Sequence, residues 1–337
     1  MVLVENYGIA IICCILCMIC WGSWANTQKM AGKEWRFELF YYDMTIGLFL
    51  TALAGALTLG CLGDDGPTFF ENLAVANSAS ISYAIIGGIV WNLGTLLLTA
   101  AIAIAGMSVG FPLGGGLAWV GGIIVNYFIS FSGNPVLLFA GVILIILAIA
   151  CCATAYKKLA AKNAKTPAKG FIVSACAGVV IMFFYGLVVK SLAPAYGGTP
   201  LAEGGIGTLT PYTAVFLFGV GILISTPIFN AIALRYPVEG KPLTEKDYFK
   251  GSARTHWVGI LGGFIWMSGM VVSMASAGAA SGAISYALSN AAPVCAMIWG
   301  IFVWKEFKGA PKGTTPLLTA MFILFILGLV VITLSNS

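Results

Sequence analysis

Charge is what this sequence has least of. Only 9% of its 337 residues are Asp, Glu, Lys or Arg, against 60% that are hydrophobic. A soluble domain carries about 25% charged residues, which it needs to cover a water-facing surface. So small a supply excludes a water-solvated fold and leaves lipid as the solvent. Histidine is nearly absent, with His256 standing alone, which excludes most histidine-based triads and metal clusters. Neither H-E-x-x-H nor G-x-S-x-G occurs, and no G-x-x-x-x-G-K-[ST] phosphate loop is present. The nearest string to the last, Glu239-Gly240-Lys241-Pro242, lacks the first Gly and the Ser/Thr. No basic n-region precedes the first apolar run, so that run is expected to be a mature helix, not a cleaved signal. These absences predict no enzyme activity, no cofactor and no metal. The net charge of +5 does not point to nucleic acid, because the basic residues lie between apolar runs.

The nine cysteines, Cys13, Cys14, Cys17, Cys20, Cys61, Cys151, Cys152, Cys176 and Cys295, are odd in number and lie in or at the edge of apolar segments. A disulfide framework is not expected from that pattern. Cys14, Cys17 and Cys20 resemble metal-ligand spacing, but i, i+3 positions simply stack on one helix face. They read as small packing residues.

Long apolar runs are what the sequence has in abundance. Crossing a hydrocarbon core takes about 20 apolar residues per helix. Ten runs qualify: 7–25, 40–61, 80–105, 107–130, 136–156, 170–190, 211–234, 255–277, 279–304 and 315–334. Turn-forming strings separate them, among them Gly63-Asp-Asp-Gly-Pro67, Ser132-Gly-Asn-Pro135 and Gly197-Gly-Thr-Pro200. The expectation is an all-α membrane protein of ten transmembrane helices. With ten spans, every one of the 17 Lys and Arg residues except Lys190 falls on one side. Glu5, Asp64, Asp65, Glu71 and Glu203 fall on the other. The positive-inside rule then places a multi-pass protein in the cell membrane with both termini outside the cytoplasm. The polar segment 239–252 is expected to form a short surface helix.

A repeat runs through these spans. Gly87-Gly88-Ile-Val-Trp91-Asn-Leu-Gly94 recurs as Gly262-Gly263-Phe-Ile-Trp266-Met-Ser-Gly269, and Phe111 falls opposite Tyr286. Five helices per copy would invert the second copy in the membrane. The predicted organisation is therefore two inverted five-helix repeats, 1–156 and 170–337, joined by a short cytoplasmic linker at 157–169. Inverted repeats place a substrate site near the midplane, where the halves meet.

Several segments, taken in order, resemble the plant ureide permeases of the drug/metabolite transporter superfamily. They are Glu5-Asn-Tyr-Gly8-Ile-Ala-Ile with Gly22-Ser-Trp24, Tyr42-Asp43, and Leu93-Gly94 with Gly106-Met-Ser-Val and Asn126-Tyr-Phe128. Further along are Tyr236-Pro-Val238 and Trp299-Gly-Ile301 with Glu306-Phe307. The resemblance is collinear over about residues 5–335. It implies a secondary active transporter that imports allantoin, uracil, xanthine or a related ureide or nucleobase with protons. Its partners would be that small substrate, a proton or other coupling ion and the lipid bilayer, with no nucleic acid. The plant members carry a long central loop with a phosphate-loop-like motif, which is reduced here to about 157–169. Related sugar porters of the glucose/ribose/rhamnose branch and multidrug or metabolite exporters share the ten-helix plan and are the alternatives.

Laid across the bilayer, Trp91 and Asn92 fall near the middle of the third span, Trp266 near the middle of the eighth and Asn290 near the middle of the ninth. Ring stacking on Trp91 or Trp266 suits a flat heterocycle. Asn92, Thr95 and Asn290 can donate to and accept from amide-like edges. Tyr185, Tyr286 and Ser289 are further substrate-binding candidates. The plain alternative is interhelical hydrogen bonding, worth about 0.6 kcal/mol per pair. Asp43, one turn into the second span, is the proton-coupling candidate. Alternatively it is a helix-N-terminal carboxylate steadied by the dipole and by Arg36. Lys190 can pair with Glu203 or snorkel to the interface, His256 is expected at the surface, and Lys305-Glu306 reads as an interfacial ion pair. Pro112 and Pro293 each remove a backbone donor inside a helix. The glycines at 114–116, 121 and 122 read as close helix packing.

Overall fold

Apolar runs bounded by Gly, Pro and Asn become helices here because lipid offers the backbone no other partner than itself. The computed structural model describes residues 1–32, 35–130, 134–162, 168–200, 206–280, 288–289 and 291–335. Side chains at 126, 129, 130, 160–162 and 280 lie outside that description. In chain order the α-helices are α1 (Tyr7–Ser23), α2 (Ala25–Met30), α3 (Phe37–Leu57), α4 (Phe69–Val75), α5 (Ser78–Ala105), α6 (Met107–Ser130) and α7 (Pro135–Lys162). They continue as α8 (Ala168–Ile181), α9 (Phe184–Ser191), α10 (Pro211–Arg235), α11 (Glu245–Tyr248), α12 (Ala253–Ala280), α13 (Ala292–Ile298) and α14 (Thr314–Leu334). Among the described residues, nine helical segments are long and apolar enough to cross a membrane, counting α1–α2 and α8–α9 as one each. They correspond to nine of the ten runs read from the sequence. The other run, 279–304, lies partly outside the described residues. Its described helix, Ala292–Val303, is shorter and ends in a π-helical turn over Trp299–Val303.

Each helix sorts its residues by solvent. On α1, Ile9, Ile12, Leu16 and Ile19 are exposed at helical spacing, while Ala10, Cys14, Cys17 and Trp21 are buried. The N-terminal donors find local acceptors. Asn6 accepts from Ile9 N–H, Asn77 accepts from Ser80 N–H, and Thr68 forms a capping box with Glu71. None of the nine cysteines, all among the described residues, forms a disulfide. The polar segment after α10 forms the short helix α11, placed as read from the sequence.

The helices that matter for the site pack in two close crossings. At the first, a Cβ added to Gly47 of α3 would fall on the carbonyl oxygen of Ile260, and one added to Gly263 of α12 on that of Met44. At the second, a Cβ at Gly88 of α5 would strike the carbonyl of Phe218, and one at Gly221 of α10 that of Ile85. In both crossings the absent side chains let two backbones touch, so dispersion acts over a wide contact. Helix α3 also packs on α10, α1 packs on α12 and α13, α8 packs on α5 and α6, and α14 packs on α7 at the periphery.

The connecting segments separate onto two faces. On one, Arg36 Nη1 donates to the Lys241 carbonyl at 2.5 Å, the Lys169 ammonium to that of Val238, and Lys29 pairs with Glu306. On the other, Val4 N–H bonds the Ala275 carbonyl at 3.1 Å, Asn77 N–H that of Gly207 at 2.8 Å and Asn134 N–H that of Ser335 at 2.6 Å. Replacing Gly88 or Gly263 by Ala should destabilise the protein by about 1–3 kcal/mol, since backbone, not a side chain, blocks the new methyl. Gly55→Ala should be milder, because its methyl would meet only the Val271 side chain, at 3.3 Å. Thermal unfolding in detergent measures the difference; equal losses at all three positions would contradict it.

Candidate functional site

Two of the spanning segments are interrupted in mid-course. The first is interrupted at Trp24, between α1 and α2, and the sixth at Met182-Phe183, between α8 and α9. Pro293 opens α13, and Pro112 sits inside α6. An N–H at position 112 would reach the Ser108 carbonyl; Cys152 Sγ contacts that carbonyl instead, at 3.5 Å. These irregular places converge on one cavity. Its volume is about 60 Å³, smaller than the roughly 300–1,000 Å³ of small-molecule sites, so a ligand would enter only as the rings part.

Aromatic faces make most of its wall. Trp21 and Trp266 are stacked, with centroids 5.2 Å apart and planes at 10°. Trp91 leans on Trp266 at 4.1 Å, and Phe218 stacks behind Trp266 at 6.0 Å. Trp24 and Phe111 meet at 6.2 Å on another side. The Trp21 indole N–H donates to the Trp266 carbonyl at 3.1 Å, which locks the two helices in register. Among the described lining residues Thr95 brings the one hydroxyl. Such a cavity offers flat, polarisable faces and few hydrogen-bonding groups, which suits a planar ligand held by stacking.

The candidates read from the sequence separate into three groups. Trp91, Thr95 and Trp266 line the cavity together. Asn92 does not face it. Its carbonyl oxygen accepts from Tyr41 Oη at 2.8 Å, and its Nδ2 donates to Ser225 Oγ at 2.8 Å and Thr226 Oγ1 at 3.1 Å. One residue along a helix turns the side chain by about 100°, so Trp91 and Asn92 cannot both look inward; Asn92 instead ties α5 to α3 and α10. Ser289 is buried and shares a hydrogen bond with Ser273 at 3.3 Å, and Tyr185 is buried in the same core. Tyr286 and Asn290 lie outside the described residues.

Asp43 is buried in a polar cluster on the face that carries Arg36. Tyr248 Oη donates to its Oδ1 at 2.5 Å, His256 Nδ1 lies 2.8 Å from the same oxygen, and Trp35 Nε1 donates to Oδ2 at 3.2 Å. Burial, with the Asp43 contact, raises the Tyr248 phenol well above its ordinary range, so it stays a donor. Three expectations are corrected here. His256 is drawn inward by Asp43 and is only 24% exposed at its side chain. Arg36 pairs with Glu38 at 2.5 Å, not with Asp43, because Glu38 lies two residues away on the same turn. Glu306 pairs with Lys29 across the bundle, not with its neighbour Lys305. Lys190 stands 5.9 Å from the Tyr83 ring centroid; Glu203 lies outside the described residues.

Trp21, Phe111 and Phe184 are lining residues that sequence reasoning did not assign to a site. For Trp21 one signal was present: it shares a helix face with Trp24 at i, i+3.

Comparison with known proteins agrees with this architecture. A solved crystal structure matches over 98% of both chains with a TM-score of 0.54 at 16% identity, a likeness of fold alone. Ureide permease 1 of Arabidopsis thaliana is 27% identical over 389 aligned residues, covering 100% of this chain and 99% of its own. Ureide permease 3 of the same plant is 29% identical over 83% of this chain and 90% of its own, and a probable ureide permease A3 of Vigna unguiculata is 26% identical over 93% and 99%. The first alignment is longer than this chain's 337 residues, so the plant protein carries segments this one lacks. The family model for ureide permeases matches residues 40–169 and 159–335, two segments that overlap from the end of α7 to the start of α8. The chain belongs to the ureide permease family of membrane transporters.

Proposed function

We propose that this protein imports a ureide or nucleobase, such as allantoin or uracil, by proton-coupled alternating access. The observation that carries the reading is the Trp21–Trp91–Trp266 cavity at the helix interruptions of a ureide permease family member. A planar ring inserted there would meet indole faces, and Thr95 would take one polar edge. Helix interruptions beside a cavity are where membrane transporters bind substrate.

The ten-helix plan with inverted repeats, of the drug/metabolite transporter kind, is part of the same proposal. It is supported by packing that recurs when each span is exchanged with the one five places later. The pair α3–α12 then becomes α10–α5, α1–α12 becomes α8–α5, and α1–α13 becomes α8–α6. Gly88 and Gly263, 175 positions apart, each meet a carbonyl of the exchanged partner. Both interruptions, at Trp24 and at Met182-Phe183, fall on exchanged spans. The basic face at Arg36, Lys169 and Lys241 supports termini outside the cytoplasm.

Trp91→Ala and Trp266→Ala should each weaken substrate binding by about tenfold or more through lost stacking area, and Trp91→Phe should be milder because a face remains. Uptake competition measures the substrate class: excess uracil or allantoin should inhibit. Inhibition by hexoses or pentoses alone would move the assignment to the sugar-porter class. For Asn92 the expectation differs. Asn92→Ala should cost about 1–3 kcal/mol of stability, because Tyr41, Ser225 and Thr226 lose a buried partner. Binding by the folded fraction should persist; loss of binding in fully folded protein would place Asn92 in the site.

For coupling, Asp43 is the assigned proton carrier, with His256 and Tyr248 as its hydrogen-bond partners. Uptake by an Asp43→Asn variant should lose its dependence on external pH while counterflow exchange continues. An unchanged pH profile would remove Asp43 from that role.

A further inference from the structure

A second, polar contact line lies along the same helix that carries Trp21 and Trp24. Ser23, Asn26 and Lys29 recur every three residues, so they share one face of α1–α2. Ser23 Oγ accepts from Trp299 Nε1 at 2.9 Å, and Asn26 Oδ1 accepts from Trp304 Nε1 at 2.6 Å. Lys29 pairs with Glu306, and its ammonium stands 5.2 Å from the Trp304 ring centroid. The three residues therefore close α1–α2 against the segment that follows α13.

Glu306 does more than balance a lysine. One carboxylate oxygen accepts from the Met107 N–H at 2.9 Å; the other accepts from the Ser108 N–H at 2.7 Å and from the Ser108 hydroxyl. Met107 opens α6, so the carboxylate occupies the positive end of a 24-residue helix. Gly106, with φ +87°, leaves the room it needs, since a Cβ there would meet the carboxyl group at 3.0 Å. On another side Gln28 Nε2 donates to the Thr99 carbonyl of α5 at 2.9 Å. One short stretch of helix is thus tied to α5, α6 and the end of α13 together. Trp24 and Phe111, carried by the α1–α2 span and by α6 that these ties join, both line the aromatic cavity.

The backbone around Glu306 is irregular as well. Lys305 has φ +52°, the left-handed region, alone among the described non-glycine residues, and the π-helical turn at Trp299–Val303 precedes it. A side-chain-bearing residue held there is strained, and such strain persists where surrounding contacts enforce it. Here it aims Glu306 at the α6 terminus. The pair is largely sequestered, with side-chain exposures of 23% for Lys29 and 13% for Glu306.

We infer that Glu306, held by Lys29 and by the Met107 and Ser108 donors, is the latch that closes the aromatic cavity on the face bearing Lys29. Transport requires it to open. The inference rests on the alternating-access reading, but its test uses no substrate, so a wrong substrate class would leave its outcome unaffected. The probe is a membrane-impermeant maleimide, and the reporter is Ala118→Cys in the cavity wall, corrected for labelling of the parent protein. Vesicles of both orientations are compared.

With the native latch, labelling from the Lys29 face should be slow. Adding Glu306→Gln should speed it by about tenfold or more, as charge-assisted hydrogen bonds are lost. Exchanging the charges, Lys29→Glu with Glu306→Lys, should leave labelling fast, because a lysine cannot accept from the Met107 and Ser108 donors. An unchanged rate in Glu306→Gln protein of unaltered thermal stability would overturn the latch, and slow labelling after the exchange would reduce it to a simple ion pair. If Glu306→Gln fails to fold, a cleavable thiol cross-linker across Lys29→Cys and Glu306→Cys gives the answer. It should abolish labelling from that face until cleaved; labelling that continues through the cross-link would also overturn the latch.

Discussion

Contact between bare helix backbones is the constraint on which the rest of this structure depends. In lipid there is no hydrophobic drive to push helices together, so close approach must come from removing side chains. Gly47 and Gly263 do this where α3 meets α12, and Gly88 and Gly221 do it where α5 meets α10. The same two crossings set the spacing of α5 and α12. Trp91 and Trp266, one turn beyond Gly88 and Gly263, are therefore brought ring against ring. The cavity is a consequence of the glycine contacts, not a separate feature.

Satisfaction of polar groups then divides the interior. Asn92, Ser225, Thr226 and Tyr41 consume one another's hydrogen bonds and act as fixed cross-ties. The cavity wall beside them carries rings and aliphatic side chains, with Thr95 the one hydroxyl among the described lining residues. On the proposed function, a ligand there would gain stacking without competing against an existing network, and Thr95 would meet its polar edge. Toward the face bearing Lys29 the interactions change character, from rings to charge-assisted bonds. Ion pairs and helix-end contacts separate without creating an apolar void, which suits the opening that the proposed latch requires.

How much of this was legible in the sequence follows from the range of each interaction. Apolar runs near 20 residues long are local signals, and among the described residues nine of them are helices of the expected kind. The Gly-Gly-x-x-Trp repeat is also local, and it marked two of the cavity's tryptophans. Asn92 was read as a site residue, but its direction depended on Ser225 and Thr226, more than 130 residues away. His256 read as a surface residue because it stands at the start of a span, whereas its partner Asp43 sits 213 residues earlier. Glu306 had a lysine next door and chose another 277 residues away, since the α6 terminus added donors that Lys305 could not match. Pairings between distant helices leave no local periodicity to read.

A structure determined with allantoin bound tests the central claim most directly, because it shows which groups touch the ring. The account predicts ligand density between Trp91, Trp266 and Trp21, with its plane along an indole face and a polar edge at Thr95. Density elsewhere in the bundle, with the tryptophan cage still closed on itself, would contradict it.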